Sequence, residues 1–151
     1  METMKKATQL KPVLTQVQNN TTYWIGHMLS DPIDHVAGQT FRCPANGELD
    51  NIQVLSSVVQ YPGELVLTLH HFDTKNKSWG PALGSSTVKL EKDKTYAFRL
   101  QTPNAYVAIG EAATVKAKPF DYGQEWTASS DDKVGQYFTY FSLAFKVELR
   151  A

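Results

Sequence analysis

The closing stretch Phe141-Ser-Leu-Ala-Phe-Lys-Val-Glu-Leu-Arg150 decides the fold class. Phe141, Leu143, Phe145, Val147 and Leu149 fall in one phase, and Ser142, Ala144, Lys146, Glu148 and Arg150 in the other. Side chains on a strand point alternately to opposite faces. The register therefore predicts a strand that sets its large apolar groups on a core and leaves its charges in water, as antiparallel sheets commonly do.

The same alternation recurs upstream. Tyr96, Phe98 and Leu100 share a phase, Phe41 and Cys43 alternate with Thr40 and Arg42, and Leu65, Leu67 and Leu69 are expected to face inward. Turn-forming clusters separate these runs at Pro44–Gly47, Pro62-Gly63, Asp93-Lys94 and Thr102–Asn104. Pro62-Gly63 predicts a hairpin between a long strand through Leu49, Ile52, Val54 and Val58 and the strand of Leu65–Leu69. Short, evenly spaced strands with no convincing helix between them predict an all-β domain: an antiparallel, two-sheet β-sandwich of jelly-roll-like layout over residues 22–151. Residues 1–21 are expected to form an N-terminal arm, flexible or a short helix beginning near Pro12, with Leu10, Val13, Leu14 and Val17 on one side. The stretch Ala112–Gln136 exceeds the roughly 12–15 residues of an ordinary connection, so it is either a functional loop or contains one or two short strands around Trp126.

Composition narrows the function classes. With 151 residues the chain fits one domain, and its 15 basic residues balance its 15 acidic ones. No global field draws phosphate backbones or anionic lipid, so neither nucleic acid nor a membrane surface is an expected partner, while the low net charge permits self-association. Cys43 is the one cysteine, which excludes an internal disulfide; beside Phe41 and Pro44 it reads as a buried thiol. The early lysines precede no apolar core of the kind a secretory signal needs, so the cytoplasm is the default compartment, with a secreted or surface location the alternative if a leader was removed. His70 and His71 are adjacent on a strand and point to opposite sides, and Asp131-Asp132 matches no dedicated calcium loop, so neither a metal nor another cofactor is expected.

The order Gly38-Gln-Thr-Phe41, Cys43-Pro-Ala-Asn-Gly47-Glu-Leu49, Pro62-Gly-Glu-Leu-Val-Leu-Thr-Leu69, Lys94-Thr-Tyr-Ala-Phe-Arg-Leu100 and Tyr140-Phe-Ser-Leu-Ala-Phe145 resembles small bacterial jelly-roll β-sandwich domains. Those domains are related in layout to carbohydrate-binding modules. The resemblance covers about residues 38 to 149 and implies a fold rather than a ligand, because sandwiches carry many unrelated roles.

The candidate binding residues are Trp79, Asp121, Tyr122, Gln124, Glu125 and Trp126. Sugar rings present a face of polarised C–H bonds that stacks on indole or phenol, and carboxylates and amides nearby fix their orientation. The competing reading makes Trp79 and Trp126 lids over the ends of the fold. Glu111, Asp121 and Glu125 are the carboxylates available for acid/base work, but there is no nucleophile elbow or phosphate-cradling loop, and no enzyme is expected. The expectation is a non-catalytic module for carbohydrate or a similar polar ligand. The alternative is a structural or protein-interaction domain.

Overall fold

The computed structural model describes residues 10–84 and 87–150, with side chains from residue 14 onward. Its strands are Leu10–Gln16 (β1), Thr21–Gly26 (β2), His35–Arg42 (β3), Gly47–Val54 (β4), Ser56–Tyr61 (β5), Val66–Asp73 (β6) and Ser78–Leu83 (β7). Lys89–Leu90 (β8), Thr95–Gln101 (β9), Tyr106–Ala113 (β10), Glu125–Ser129 (β11), Gln136–Phe138 (β12), Phe141–Leu143 (β13) and Phe145–Arg150 (β14) complete them. Among the described residues there is no helix. Every strand pair is antiparallel.

A four-stranded sheet runs β1-β14-β4-β8. The larger sheet carries β13-β10-β2-β3-β9-β6-β7; within it β11 also pairs with β3 and β12, and β5 with β10. One core serves both sheets. Phe145, Val147 and Leu149 on β14 pack into the same cluster as Phe41 on β3, Phe98 on β9 and Ile109 on β10. The Phe145 ring lies 6.3 Å from Phe41, 5.4 Å from Phe98 and 5.1 Å from Phe120, and it is 2% exposed.

The alternation that reads as one closing strand is divided between the sheets. Phe141–Leu143 pairs with β10, whereas Phe145–Arg150 lies between β1 and β4. Ala144 makes the crossing: its amide donates to the Gly110 carbonyl and its own carbonyl accepts from Leu55. Leu143, Phe145, Val147 and Leu149 are buried as expected, whereas Phe141 is only half-buried; Ser142 and Ala144 of the opposite phase are enclosed as well. Leu55 likewise divides the predicted long strand into β4 and β5, which belong to different sheets. No hairpin forms at Pro62-Gly63, because β5 pairs with β10 while β6 pairs with β7 and β9. Of the three leucines expected inside, Leu69 is buried, Leu67 half-buried and Leu65 exposed.

The expected helix of the N-terminal arm is corrected for residues 10–16, which form β1 on the edge of the smaller sheet. Pro12 is tolerated there because an edge strand needs no ladder hydrogen bond on its outer side, and the register shifts between Pro12 and Leu14. The part of the arm at residues 1–9 lies outside the described residues.

Phe145→Ala removes the ring on which both sheets converge. The variant is expected to lose about 3–5 kcal/mol of unfolding free energy, read from urea denaturation followed by tryptophan fluorescence.

Candidate functional site

Strand β3 builds the candidate site because its two faces serve different ends. Ala37, Gln39 and Phe41 turn to the core, and Gly38, Thr40 and Arg42 to the outer face. The register sets Arg99 of β9 and Trp126 of β11 on either side of Gly38, with Tyr137 of β12 beyond Trp126. A Cβ at Gly38 would come within 3.1 Å of both the Trp126 and Trp79 rings and within 2.6 Å of the Phe98 carbonyl. The missing side chain is what lets the two indoles settle against the sheet.

Those indoles form the ridge of the outer face. The Trp79 and Trp126 rings are 4.9 Å apart, and the Arg99 guanidinium carbon sits 4.7 and 4.8 Å from them. Such cation–π contacts strengthen as water is removed. Trp79 Nε1 donates to the Tyr137 hydroxyl at 3.0 Å, and Trp126 Nε1 to the Val134 carbonyl at 3.0 Å. Burial draws the Arg99 pKa below its ordinary value, while the Tyr137 hydroxyl is pushed up by the same cause.

A cleft of about 230 Å³ opens on one side of the ridge, beside Thr40, Arg42, Lys77, Asp121, Tyr122 and Gln124. Residues 122–124 are stitched to β3: Thr40 N donates to the Gln124 carbonyl at 2.8 Å, and Arg42 N to the Tyr122 carbonyl at 2.8 Å. Gly123 permits this approach, since a Cβ there would stand 1.8 Å from the Thr40 carbonyl oxygen. Tyr122 is 43% exposed, with Arg42 5.2 Å from its ring centre and the Phe120 ring edge-on at 5.8 Å. Lys77 Nζ donates to Gln124 Oε1 at 3.2 Å, and Gln124 Nε2 donates to Thr139 Oγ1 at 2.8 Å.

Glu125 faces the other way. It is opposite Gln39 on the core side and 0% exposed, both of its carboxyl oxygens lack a hydrogen-bond partner among the described residues, and its ionisable neighbour is Glu111, itself 4% exposed. Burial first, and then the neighbouring Glu111 carboxyl, pushes the Glu125 pKa from 4.5 to about 10. Glu125 thus holds a proton that an ordinary carboxylate would have released. Around it, Gln39 Oε1 accepts from Leu143 N at 3.0 Å.

The six candidate residues therefore separate. Asp121, Tyr122 and Gln124 share one cleft, and Trp79 stands half-buried in the ridge beside it. Trp126, at 1% exposure, supports the ridge rather than offering a face to a ligand. Glu125 lies beneath the sheet with Glu111, away from Asp121. Thr40, Arg42, Lys77 and Arg99 belong to the outer face but were not among the candidates. Each is a polar member of an ordinary alternation or turn, and only pairing across strands brings them together. Among the described residues no three His, Cys, Asp or Glu side chains converge as a metal site.

The buried Glu125 carboxyl sets a pH dependence. Unfolded, Glu125 titrates near 4.5; folded, it keeps its proton to about 10. Across that window the folded chain binds more protons than the unfolded one, so stability falls as pH rises, by up to about 1.4 kcal/mol per pH unit for one proton. Glu125→Gln keeps the shape and removes the titration. Urea midpoints measured from about pH 5 to about pH 9 are expected to show a flatter profile and a more stable variant at the alkaline end; a variant weaker at every pH contradicts the retained-proton account. Comparison with protein-family models, with curated proteins and with solved structures returns no match for this chain.

Proposed function

We propose that this chain is a non-catalytic binding module, a two-sheet sandwich of jelly-roll-like layout that holds a carbohydrate or similar polar ligand against the outer face of β3. The supporting observation is the cleft at Tyr122. An exposed phenol ring stands beside two cations, Arg42 and Lys77, a carboxylate, Asp121, the Gln124 amide and the Thr40 hydroxyl. A ring face with a few converging polar groups suits a hydroxyl-rich ligand, which needs apolar contact for its C–H bonds and oriented partners for its oxygens. Trp79 and Trp126 act beneath this surface as its support. The polar groups are anchored in advance by the Lys77–Gln124–Thr139 chain of hydrogen bonds, which lowers the ordering that binding requires.

A panel of neutral oligosaccharides titrated against labelled protein tests the reading. A cognate sugar is expected to shift the Gly123 and Gln124 amides saturably, and Tyr122→Ala to weaken binding by roughly tenfold, the upper range of an aromatic face contact. Amides that stay unmoved across the panel rule the module out as a carbohydrate binder.

A protein-interaction role is favoured by a different surface. Among the described residues strand β5 pairs with β10 alone, and it leaves Val58 and Val59 51% and 54% exposed. An apolar strand at an open edge is a template for further pairing, and a second copy of this chain, which bears no net charge, is its simplest partner. Sedimentation velocity is expected to show concentration-dependent association that Val58→Lys suppresses. A monomer throughout the accessible range removes this reading.

A further inference from the structure

We infer that the hollow on the far side of the tryptophan ridge, beside Arg99, is a second ligand site and that it takes a single carboxylate group. The hollow measures about 230 Å³ and is bordered by Arg99, Lys133, Ser129, Ser130 and Gln101, with Trp126 among the apolar groups of its floor. It stands apart from the Tyr122 cleft, so its fate does not depend on that of the carbohydrate reading.

Arg99 carries the argument. An arginine fork is commonly matched to a carboxylate, and Arg99 is half-buried, with part of its guanidinium open to the hollow. Among the described residues Arg99 has no such partner; the two indoles are what hold it. Its Nε is fully enclosed and unbonded, whereas its Nη nitrogens, also without a hydrogen-bond partner, are not sealed off. The donors left free are therefore the paired Nη–H groups at the tip of the fork, fixed in place by two rings. A carboxylate meets such a pair with two parallel hydrogen bonds.

The rim fits the same ligand. Ser130 Oγ accepts from Asp34 N and Ser129 Oγ from Asp132 N, each at 3.1 Å, so both hydroxyls keep their own protons to donate. Lys133 is exposed and forms no ion pair among the described residues. Asp34, which also borders the hollow, is engaged by the His27 ring. Two cations and one carboxylate leave a net charge of one, matched by a monoanion better than by a doubly charged phosphate or sulfate.

Titration with acetate and with glucuronate, followed through the Trp126 indole N–H, tests the site, with glucose and sulfate as controls. Acetate and glucuronate are both expected to shift that signal to saturation and glucose to leave it unmoved. Arg99→Gln is expected to weaken binding roughly tenfold or more, as loss of charge-assisted hydrogen bonds does. Lys133→Glu, on an exposed loop where folding is not at stake, is expected to weaken it as well. A linear response that both variants share identifies the hollow as merely solvated and overturns the proposal. Tighter saturation by sulfate than by acetate overturns the assignment to carboxylate.

Discussion

The contact of Phe145 with Phe41, Phe98 and Phe120 is the constraint on which the rest of the molecule depends. It joins a ring from the smaller sheet to rings from two central strands of the larger one and to a ring from the connection before β11. Apolar burial is not directional, but side-chain alternation is. Once Phe41 and Phe98 are committed to the core, Thr40, Arg42 and Arg99 must face outward. The outer face is the obligatory reverse of the core, and its rigidity derives from packing it does not share.

Much of this was legible in the sequence wherever strands obey a period of two on one buried face. Tyr96, Phe98 and Leu100 are all buried, as are Phe41 and Cys43. Less legible was where a strand leaves one sheet for the other. Ala144 marks one such crossing without interrupting the alternation, because Leu143 and Phe145 on either side of it reach the same core; Leu55 marks another, beyond which the β5 side chains Val58 and Val59 read as apolar strand residues but lie exposed. Periodicity records which face is buried and is blind to which neighbour supplies the hydrogen bonds. For the same reason Pro62-Gly63 reads as a hairpin although β5 pairs elsewhere: turn chemistry specifies that the chain bends and leaves the partner open.

The candidate site was half legible for a related reason. Tyr122 and Gln124 stand out as an aromatic and an amide in a late loop, and they do meet in a cleft. Glu125 and Trp126 sit beside them in sequence, but this part of the chain is extended along β3, so consecutive residues alternate faces. Glu125 turns to the core, and Trp126 settles over Gly38. Arg99 carried no signal at all, since a lone basic residue between Phe98 and Leu100 is what any half-exposed strand would show. Its distinction arises only when Trp79, from a hairpin much earlier in the chain, is folded against it.

Zero net charge conceals a difference in what individual cations touch. On the smaller sheet Arg150 lies 3.2 Å from Asp50 and 3.9 Å from Glu48, and Glu148 accepts from Gln53, while Lys89 and Lys146 make no ion pair among the described residues. On the outer face of the larger sheet, Arg42 has Asp93 at 3.5 Å, but Lys77 and Arg99 make contact with aromatic rings instead of carboxylates. A cation held on a ring keeps its full charge and gives up part of its hydration, which leaves it readier for an anion than a solvated lysine is. The field this produces extends only about 8–10 Å at moderate salt. Its reach is enough to orient a small ligand already at the surface. A chain with no net charge can therefore still carry, on one face, cations held on rings instead of carboxylates, and what those cations touch matters more than how many there are.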